Sequence, residues 1–423
     1  IRRPPRSTPL YSSAASDVYK RQNKKKLFIE GVSVQNISNK FGTPAYCYSY
    51  SKLKKNINDF KENFKSFSPL ICFSVKSNTN VNLIREIKKF GLGADVVSKG
   101  ELMMALKAGI NPSKIVFSGV GKTSEEINFA IEKRILLINA ESKSEIQVIN
   151  KIAKRKNKIV QIGIRLNPNT DAKTLKQIST GKSENKFGVN SKKFYELIKY
   201  CENSKNISLQ CLSVHIGSQI LDYKPYERML KAVSNIINKT NYKFKFVDLG
   251  GGMGISYSDK IKKLNYKKYN SAIRNFLKKH DTKIIFEPGR SIIGNTGTLI
   301  SKIIYIKDGG AKKFVILDAA MNDLMRPALY GAVHKILPVN KSKNVSKNIY
   351  EFVGPICEST DKFVTLKKFQ KLKEKDFIAI CDVGAYGMSL SSNYNLRPKP
   401  VELLIKGRTI KIIKNRQKHK DLI

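Results

Sequence analysis

Short apolar runs alternate with amphipathic stretches along most of the chain from about residue 70 onward. Eight runs have the length and composition of buried strands: residues 71–75, 94–98, 114–119, 136–140, 159–168, 208–218, 244–252 and 283–290. Between them lie stretches with helical periodicity, such as VNLIREIKKFG and KFYELIKYCEN. Eight strand–helix units predict an α/β fold with a (β/α)8 TIM-like barrel rather than an open sheet.

Three of the predicted helices begin with a capping box, in which a hydroxyl and a glutamate three residues later each satisfy a backbone amide. The pairs are Ser98 with Glu101, Thr123 with Glu126, and Ser142 with Glu145. Gly109 is predicted to close the helix that begins after Ser98, because glycine adopts the left-handed conformation of a helix C-terminus at low cost. These signals indicate helix ends independently of the apolar pattern.

The pattern changes after about residue 300, where apolar and polar residues alternate as in antiparallel strands. The segment TGTLISKIIYIKDGGAKKFVILDAA shows this alternation, and shorter strands follow in KDFIAICDVGAY and VELLIKGRTIKII. KLFIEGVSV and TPAYCYSY precede the first barrel strand. We therefore predict a barrel over residues 50–300 and a C-terminal β-rich domain that also takes in the start of the chain, from residues 27–49 and 301–423.

The first 22 residues differ from the rest of the chain. They contain no Met, no apolar core of signal-peptide length and no clear periodicity. They resemble translated vector or adapter sequence, so we expect residues 1–22 to be a non-native or disordered leader.

The chain carries a formal net charge of +46, with 79 Lys and Arg against 33 Asp and Glu. Such a charge invites a nucleic-acid or membrane-surface role. The lysines are nevertheless spread over the whole chain beside Ile and Asn, without a basic patch interleaved with aromatic residues. No apolar run approaches the roughly 20 residues of a membrane helix. We therefore expect neither a nucleic acid nor a membrane as the main partner.

None of the six cysteines forms a CxxC pair, so the sequence indicates neither a metal site nor a disulfide framework. Cys72, Cys211 and Cys381 lie in apolar, strand-like runs and are expected to be buried thiols. Reduced cysteines are typical of a reducing compartment, which predicts a cytoplasmic protein.

Lys76 follows the first predicted barrel strand, at the point where the apolar run ICFSV stops. A lysine placed there is partly desolvated, and desolvation lowers the pKa of a lysine. An amine of lowered pKa can form a Schiff base. In a chain this rich in lysine, a solvated strand end is the alternative interpretation of Lys76 taken alone.

Polar and glycine-rich segments fall at the predicted ends of the last three barrel strands, where barrel enzymes collect their chemistry. They are HIGSQ at 215–219, GGGMG at 250–254 and EPGR at 287–290. Taken singly, HIGSQ is explained by a core histidine, GGGMG by a flexible turn and EPGR by an ion pair within a turn. Together, a lysine for a Schiff base, glycines that leave amides open to a phosphate and a carboxylate for a pyridinium nitrogen indicate pyridoxal 5′-phosphate.

From about residue 27 to 405 the chain resembles the diaminopimelate decarboxylase family, which belongs to the alanine-racemase-like, fold type III pyridoxal-phosphate enzymes. The resemblance is carried by FSVKSN, GLGADVVSKGEL, STGKSENKFGV, VHIGSQI, DLGGGMGISY, FEPGRSII, NDLMRPALYGA, GPICESTD and GAYGMSLSSNYNLRPKP. Several such motifs in order along one chain are specific.

The resemblance implies a set of cofactor-binding residues. Lys76 would hold the cofactor as a Schiff base, His215 would stack on its ring, and Glu287 would pair with its pyridine nitrogen and keep it protonated. The phosphate would be bound by residues from three loops and the C-terminal domain: Ser218, Gly251, Gly252, Gly289, Arg290 and Tyr386.

The resemblance also implies how a substrate is bound. Its distal carboxylate would contact Arg290, Arg326, Tyr330 and Tyr386. Glu358 would take the distal ammonium, and Cys357 would be the acid that reprotonates the α-carbon. In the family the loop with this cysteine and glutamate comes from the partner subunit, which implies a homodimer with shared active sites.

Thr360 departs from the family pattern, which usually has glycine at this place in CESTD. A β-branched residue disfavours positive φ. We therefore expect the loop of Cys357 and Glu358 to follow a slightly different path.

The implied reaction converts meso-2,6-diaminopimelate to L-lysine and CO2, the last step of lysine biosynthesis. RPALY beside CES favours it, because an arginine fork suits a distal carboxylate that ornithine and arginine lack. Three alternatives stay open: a decarboxylase of the same fold for ornithine, arginine or a carboxylated polyamine, a cofactor-carrying protein without turnover, and a nucleic-acid-binding protein.

Overall fold

The structure, a computed structural model, describes residues 19–22, 25–172, 174–175, 178–181, 184–258 and 263–423. The described chain begins with a small antiparallel sheet of β1 (Tyr19–Gln22), β2 (Lys26–Ile29) and β3 (Val32–Ser33), in the order β1-β2-β3. Most of the predicted leader, residues 1–18, lies outside the described residues. Its last four residues form β1, so the structured chain starts before residue 22.

The small sheet leads into the main body of the molecule through α1 (Val34–Phe41), β4 (Ala45–Ser49) and α2 (Tyr50–Phe64). The Ser49 hydroxyl accepts a hydrogen bond from the Lys52 amide and caps α2. α2 places Phe60 and Phe64 against Phe286, with ring centroids 5.6 and 4.6 Å apart. These aromatic contacts fix the helix against the last strand of the barrel.

Eight parallel strands form a closed barrel in the order β10-β11-β12-β5-β6-β7-β8-β9. They are β5 (Leu70–Ser74), β6 (Gly93–Val96), β7 (Ile115–Phe117), β8 (Leu137–Ala140), β9 (Val160–Arg165), β10 (Ile207–Ser213), β11 (Phe246–Asp248) and β12 (Lys283–Phe286). The barrel closes where β12 pairs with β5, with Ile285 opposite Leu70. The predicted barrel is confirmed.

The predicted strands near residues 208–218, 244–252 and 283–290 run past the observed ends of β10, β11 and β12. The chain leaves the ladder there as loops. Gly217, Gly250 and Gly252 have positive φ, which a regular strand does not allow.

Helices cover the outside of the barrel. They are α3 (Val81–Lys88), α4 (Lys99–Lys107), α5 (Ser124–Glu132), α6 (Lys143–Arg155), α7 (Ser191–Glu202), α8 (Lys224–Thr240), α9 (Tyr266–Leu277) and the short α10 (Arg290–Ile293). Each of the long ones buries a stripe with helical spacing. In α6, for example, Ile146, Ile149 and Ile152 are buried, while Lys151 between the last two is exposed.

One of the three predicted capping boxes is complete. At Thr123 the hydroxyl accepts from the Glu126 amide at 3.2 Å and the Glu126 carboxylate accepts from the Thr123 amide at 3.0 Å. Ser98 and Ser142 cap their helices as predicted, but the glutamate of each pair accepts from the amide of the residue before the serine and not from the serine itself. Both serines are fully extended, with φ of −155° and −158° against −73° at Thr123, which turns their own amides away. Gly109 ends α4 with φ +84°, as predicted.

The second part of the chain is rich in strands. After β13 (Gly297–Asp308) and β14 (Lys313–Leu317) come α11 (Arg326–Tyr330), β15 (Ile336–Pro338), β16 (Tyr350–Val353), β17 (Lys362–Leu366), β18 (Phe377–Cys381), β19 (Val401–Lys406) and β20 (Thr409–Lys414). The main path of the sheet is β17-β16-β14-β13-β4-β19-β20, and β18 joins β13 to β15. The predicted antiparallel pairs β13–β14 and β19–β20 are present, and β4 lies between β13 and β19.

Six of the barrel strands contribute to a buried cluster below the polar ends of the strands: Cys72, Val116, Leu137, Cys211, Phe246 and Ile285. Two of the three thiols predicted to be buried belong to it, and the third, Cys381, is buried in β18. None of the six cysteines, all of which lie in the described chain, forms a disulfide, and Cys357 is the exposed one. Among the described helices, none is long and apolar enough to cross a membrane.

Candidate active site

Lys76 lies in a single helical turn, Val75–Ser77, that directly follows β5. Its ammonium donates a hydrogen bond to Asp95 Oδ2 at 2.8 Å, and its side chain is 37% exposed. Asp95 is fully buried in β6, the neighbouring strand, where it also accepts from the Ser74 hydroxyl. Lys76 is therefore an ion-paired group at the mouth of the barrel and not a freely solvated strand end.

The prediction of a lowered pKa for Lys76 is wrong. Burial does lower the pKa of this ammonium, but the carboxylates of Asp95 and Glu287 act in the opposite direction and prevail, so its pKa is raised. Sequence reasoning considered desolvation alone and missed Asp95. The available signal was a single acidic residue inside the apolar run GADVV.

Glu287 is the first residue after β12 and is 7% exposed. Its carboxyl accepts from the Ser118 hydroxyl at 3.2 Å and faces the fully buried carboxyl of Asp248. Burial raises the pKa of Glu287, and the nearby Asp248 and Asp95 raise it further. Burial likewise raises the pKa of Asp248 to about 6. Two such adjacent carboxyls share a proton near neutral pH.

Asp248 was not predicted as a site residue. Its Oδ1 accepts from the Gly250 amide at 2.9 Å, and its Oδ2 accepts from the Asn139 side chain at 3.0 Å. These bonds anchor Asp248 behind Glu287. The sequence signal was the acidic residue that opens DLGGG.

His215 follows β10 and lies against the glycine segment. Its Nδ1 accepts from the Gly251 amide at 3.2 Å, which places the ring proton on Nε2. Burial lowers the pKa of His215 well below its usual range, and the positive charges of Arg165 and Lys76 add to this effect. The imidazole is therefore neutral.

The glycines at the ends of β11 and β12 permit close approach of three loops. A Cβ on Gly251 would lie 2.1 Å from the Glu287 carbonyl oxygen, and one on Gly252 would lie 2.2 Å from the Gly217 carbonyl oxygen. Gly289 packs against the turn of Lys76 in the same way, with a Cβ position 2.9 Å from Ser77 Cβ. The Ser74 amide also donates to the Pro288 carbonyl at 3.1 Å.

Arg290 joins several predicted site residues. Its Nη2 donates to the Ser218 hydroxyl at 3.2 Å, and its guanidinium lies 4.9 Å from the ring centroid of Tyr386. Tyr386 reaches this position with φ +57°, and its backbone amide donates a hydrogen bond to the Ser77 carbonyl at 2.8 Å. The structure thus brings Ser218, Arg290 and Tyr386 together beside the turn of Lys76.

Tyr257 connects the two arginines that were assigned to the substrate. Its hydroxyl accepts from Arg290 Nη1 at 2.7 Å, and the Arg326 guanidinium lies 4.8 Å from its ring centroid. Arg326 begins α11, and Tyr330 ends the same helix. Tyr257 was missed, although it closes the motif DLGGGMGISY.

Cys357 and Glu358 lie on an exposed loop. The Cys357 amide is 3.5 Å from Asn395 Oδ1, and the Thr360 hydroxyl donates to the Glu358 carboxylate at 2.7 Å. None of their described contacts is with Lys76. Thr360 is not among the residues with positive φ, so it adopts an ordinary conformation in this loop.

The residues at the mouth of the barrel fit pyridoxal phosphate. Lys76 offers an amine for an aldehyde, and Glu287 offers a buried carboxyl for a pyridine nitrogen. Arg290 Nε is a buried donor without a partner in the described chain, which suits an anionic ligand. Neutral His215, next to the glycine segment, offers a ring face for stacking.

Comparison with known proteins agrees with this fit. Residues 50–294, more than half of the chain, match the family described as pyridoxal-dependent decarboxylase, pyridoxal binding domain. Diaminopimelate decarboxylase of Aquifex aeolicus is 39% identical over 397 residues, covering 93% of this chain and 94% of that protein. The enzyme of Haemophilus influenzae is 40% identical and covers 94% of this chain and 96% of its own.

A solved structure gives the same result. Diaminopimelate decarboxylase from Helicobacter pylori complexed with L-lysine has a TM-score of 0.88 at 41% identity, covering 92% of this chain and 98% of that chain. The barrel, the β-rich domain and the matched region define a pyridoxal-phosphate-dependent decarboxylase. Within this class, the chain belongs to the diaminopimelate decarboxylase family.

Proposed function

We propose that this protein decarboxylates meso-2,6-diaminopimelate to L-lysine and CO2. The observation that carries the proposal is the pair of buried guanidiniums on either side of Tyr257, at the same mouth of the barrel as Lys76. In the described part of the chain, neither Arg290 nor Arg326 has an acidic partner within 4.0 Å. Two unneutralised arginines suit a substrate with a second carboxylate.

When bound, pyridoxal phosphate supplies an electron sink for the electron pair that departing CO2 leaves on the α-carbon. Lys76 would bind its aldehyde, Glu287 would bind its pyridine nitrogen, and His215 would stack on its ring. Asp248 raises the pKa of Glu287, so the Glu287 carboxyl would keep a proton at that nitrogen. The phosphate-binding set would be Ser218, Gly251, Gly252, Gly289, Arg290 and Tyr386.

The positive charge of the substrate-binding part of the site would favour a ligand with a distal carboxylate. Arg290, Arg326, Tyr330 and Tyr386 would bind the distal carboxylate. Glu358 would bind the distal ammonium, and the Cys357 thiol would deliver a proton to the α-carbon after CO2 has left.

We propose a homodimer in which Cys357 and Glu358 complete the site of the other subunit. Two observations support this arrangement. The loop has no described contact with Lys76, and large apolar side chains are exposed next to the site segments, namely Leu329 and Val333 beside Arg326 and Tyr394 and Leu396 beside Asn395. Exposed apolar groups of this kind mark interaction surfaces. Free thiols also agree with the cytoplasmic location that we expect.

Mixing two inactive variants should test the shared site. Lys76→Ala and Cys357→Ala subunits are each expected to be impaired, but a mixed dimer would contain one intact site. Random reassociation should then restore about a quarter of the wild-type sites, because half of the dimers are mixed and each has one good site of two. Turnover after co-refolding measures this. Turnover no higher than the sum of the separate variants would show that each subunit contains its own complete site.

Replacing Gly251 with alanine should weaken cofactor binding by about tenfold to a hundredfold, because the new methyl group would collide with the Glu287 carbonyl. Titration of the apoenzyme with pyridoxal phosphate, followed by fluorescence, gives the dissociation constant. Gly121→Ala is the matched control, since its Cβ would meet no atom within 4 Å. Equal dissociation constants for the two variants would contradict the assignment of the glycine segment.

Release of CO2 from meso-2,6-diaminopimelate, compared with ornithine, arginine and a carboxylated polyamine, tests the proposed reaction itself. We expect turnover of the first compound and little of the others, since they leave Arg326 without a carboxylate. Preferred turnover of ornithine or arginine would overturn the proposal.

A mobility-shift assay on duplex and single-stranded DNA at moderate salt tests the alternative that the high positive charge serves nucleic-acid binding, and we expect no binding.

A further inference from the structure

His334 contacts Arg326 in the interior of the protein. It is 3% exposed, its Nε2 lies 2.8 Å from Arg326 Nη1, and its Nδ1 lies 2.8 Å from the Cys381 carbonyl oxygen. A backbone carbonyl can only accept a hydrogen bond, so Nδ1 carries the ring proton. Nε2 therefore presents a lone pair, and it accepts from the guanidinium.

We propose that His334 is a positioning residue that orients the Arg326 guanidinium toward the distal carboxylate of the substrate. The proposal rests on the proposed function. Histidine suits this task because a neutral acceptor fixes the direction of an arginine without cancelling its charge. An aspartate or glutamate in the same place would form an ion pair with Arg326 and compete with the ligand.

The surroundings keep His334 neutral. Burial lowers its pKa to about 3, and the positive charge of Arg326 contributes in the same direction. Tyr257 packs edge-on against the imidazole, with ring centroids 5.4 Å apart, and face-on against the Arg326 guanidinium. Arg326 is thus held from two sides by uncharged groups.

The remaining donors of the two arginines point to an absent ligand. Arg326 Nε and Arg290 Nε are both buried without a hydrogen-bond partner in the described chain. A buried donor without a partner is costly, so such groups are normally satisfied by a ligand or by water. Anionic ligands, among them the distal carboxylate at Arg326, would supply acceptors for these donors.

The test uses two variants that each keep one of the two hydrogen bonds. In His334→Asn, the amide can still donate to the Cys381 carbonyl but lacks the acceptor for Arg326. In His334→Gln, the longer side chain keeps an acceptor near the position of Nε2 and gives up the Cys381 bond. The ligands are L-lysine, which retains the distal carboxylate of the substrate, and pentane-1,5-diamine, which lacks it. Calorimetric titration of the holoenzymes measures both affinities without turnover.

We expect His334→Asn to weaken L-lysine binding by about tenfold and to leave diamine binding unchanged, while His334→Gln retains the preference for L-lysine. Equal preference in wild type and His334→Asn would overturn the role of His334. Loss of the preference in a folded His334→Gln would do the same, since the Arg326 contact is kept there, so this variant can still overturn the proposal if His334→Asn fails to fold. A wild-type enzyme without any preference for L-lysine would instead refute the proposed carboxylate site.

Discussion

Replacing Lys76 with alanine should give a folded protein that retains no covalently bound pyridoxal phosphate and has lost nearly all turnover. Among the groups that meet at the mouth of the barrel, this amine is the one that can bond to an aldehyde. Reduction with borohydride followed by peptide mass spectrometry measures the attachment. In the wild type, the peptide that contains Lys76 should gain the mass of the reduced cofactor.

The control for this experiment is Lys89→Ala, which removes an exposed lysine whose ion pair in the described part of the chain is with Glu86. It should leave both the labelled peptide and the absorbance of the bound cofactor unchanged. If Lys76→Ala kept the wild-type absorbance spectrum, another lysine would be the attachment point and the assignment of the site would be wrong.

Replacing Cys357 with alanine should slow turnover by about 10²–10⁴-fold, the usual contribution of a general acid, while cofactor binding stays intact. The thiol lies on an exposed loop that has no described contact with the turn of Lys76, so its loss should not disturb the cofactor site. The two effects are separated by measuring kcat and the cofactor dissociation constant on the same preparation.

Ser359→Ala, an exposed neighbour in the same loop, is the matched control and should retain normal turnover. Wild-type turnover in Cys357→Ala would remove the thiol from the reaction. A parallel loss of cofactor affinity would instead indicate that the loop supports the cofactor site directly.

The barrel could be predicted from the sequence because its strands are buried on both faces and appear as separate apolar runs. The positions of Lys76, His215, Glu287 and Arg290 followed from the same pattern, since all of them stand where an apolar run stops. The lengths of the strands could not be predicted, because the glycines that end them also occur inside regular strands.

The contacts between distant segments were beyond sequence reasoning. Asp95 reverses the expected direction of the Lys76 pKa shift, but nothing in the pattern of β6 shows which side chain faces which neighbour. Tyr257 and His334 act on Arg326 from loops 69 residues before and eight residues after it. Such pairings depend on tertiary packing and become visible only in the folded structure.

The pairing of β12 with β5 has a consequence for the order of folding and cofactor binding. Glu287 and the turn of Lys76 are separated by more than 200 residues of chain, yet they become neighbours through the pairing of the last strand with the first. A nascent polypeptide that still lacks its final barrel strand would therefore have no complete site to bind pyridoxal phosphate. Uptake of pyridoxal phosphate during refolding should therefore report the closure of the barrel. We expect this uptake late in the folding pathway.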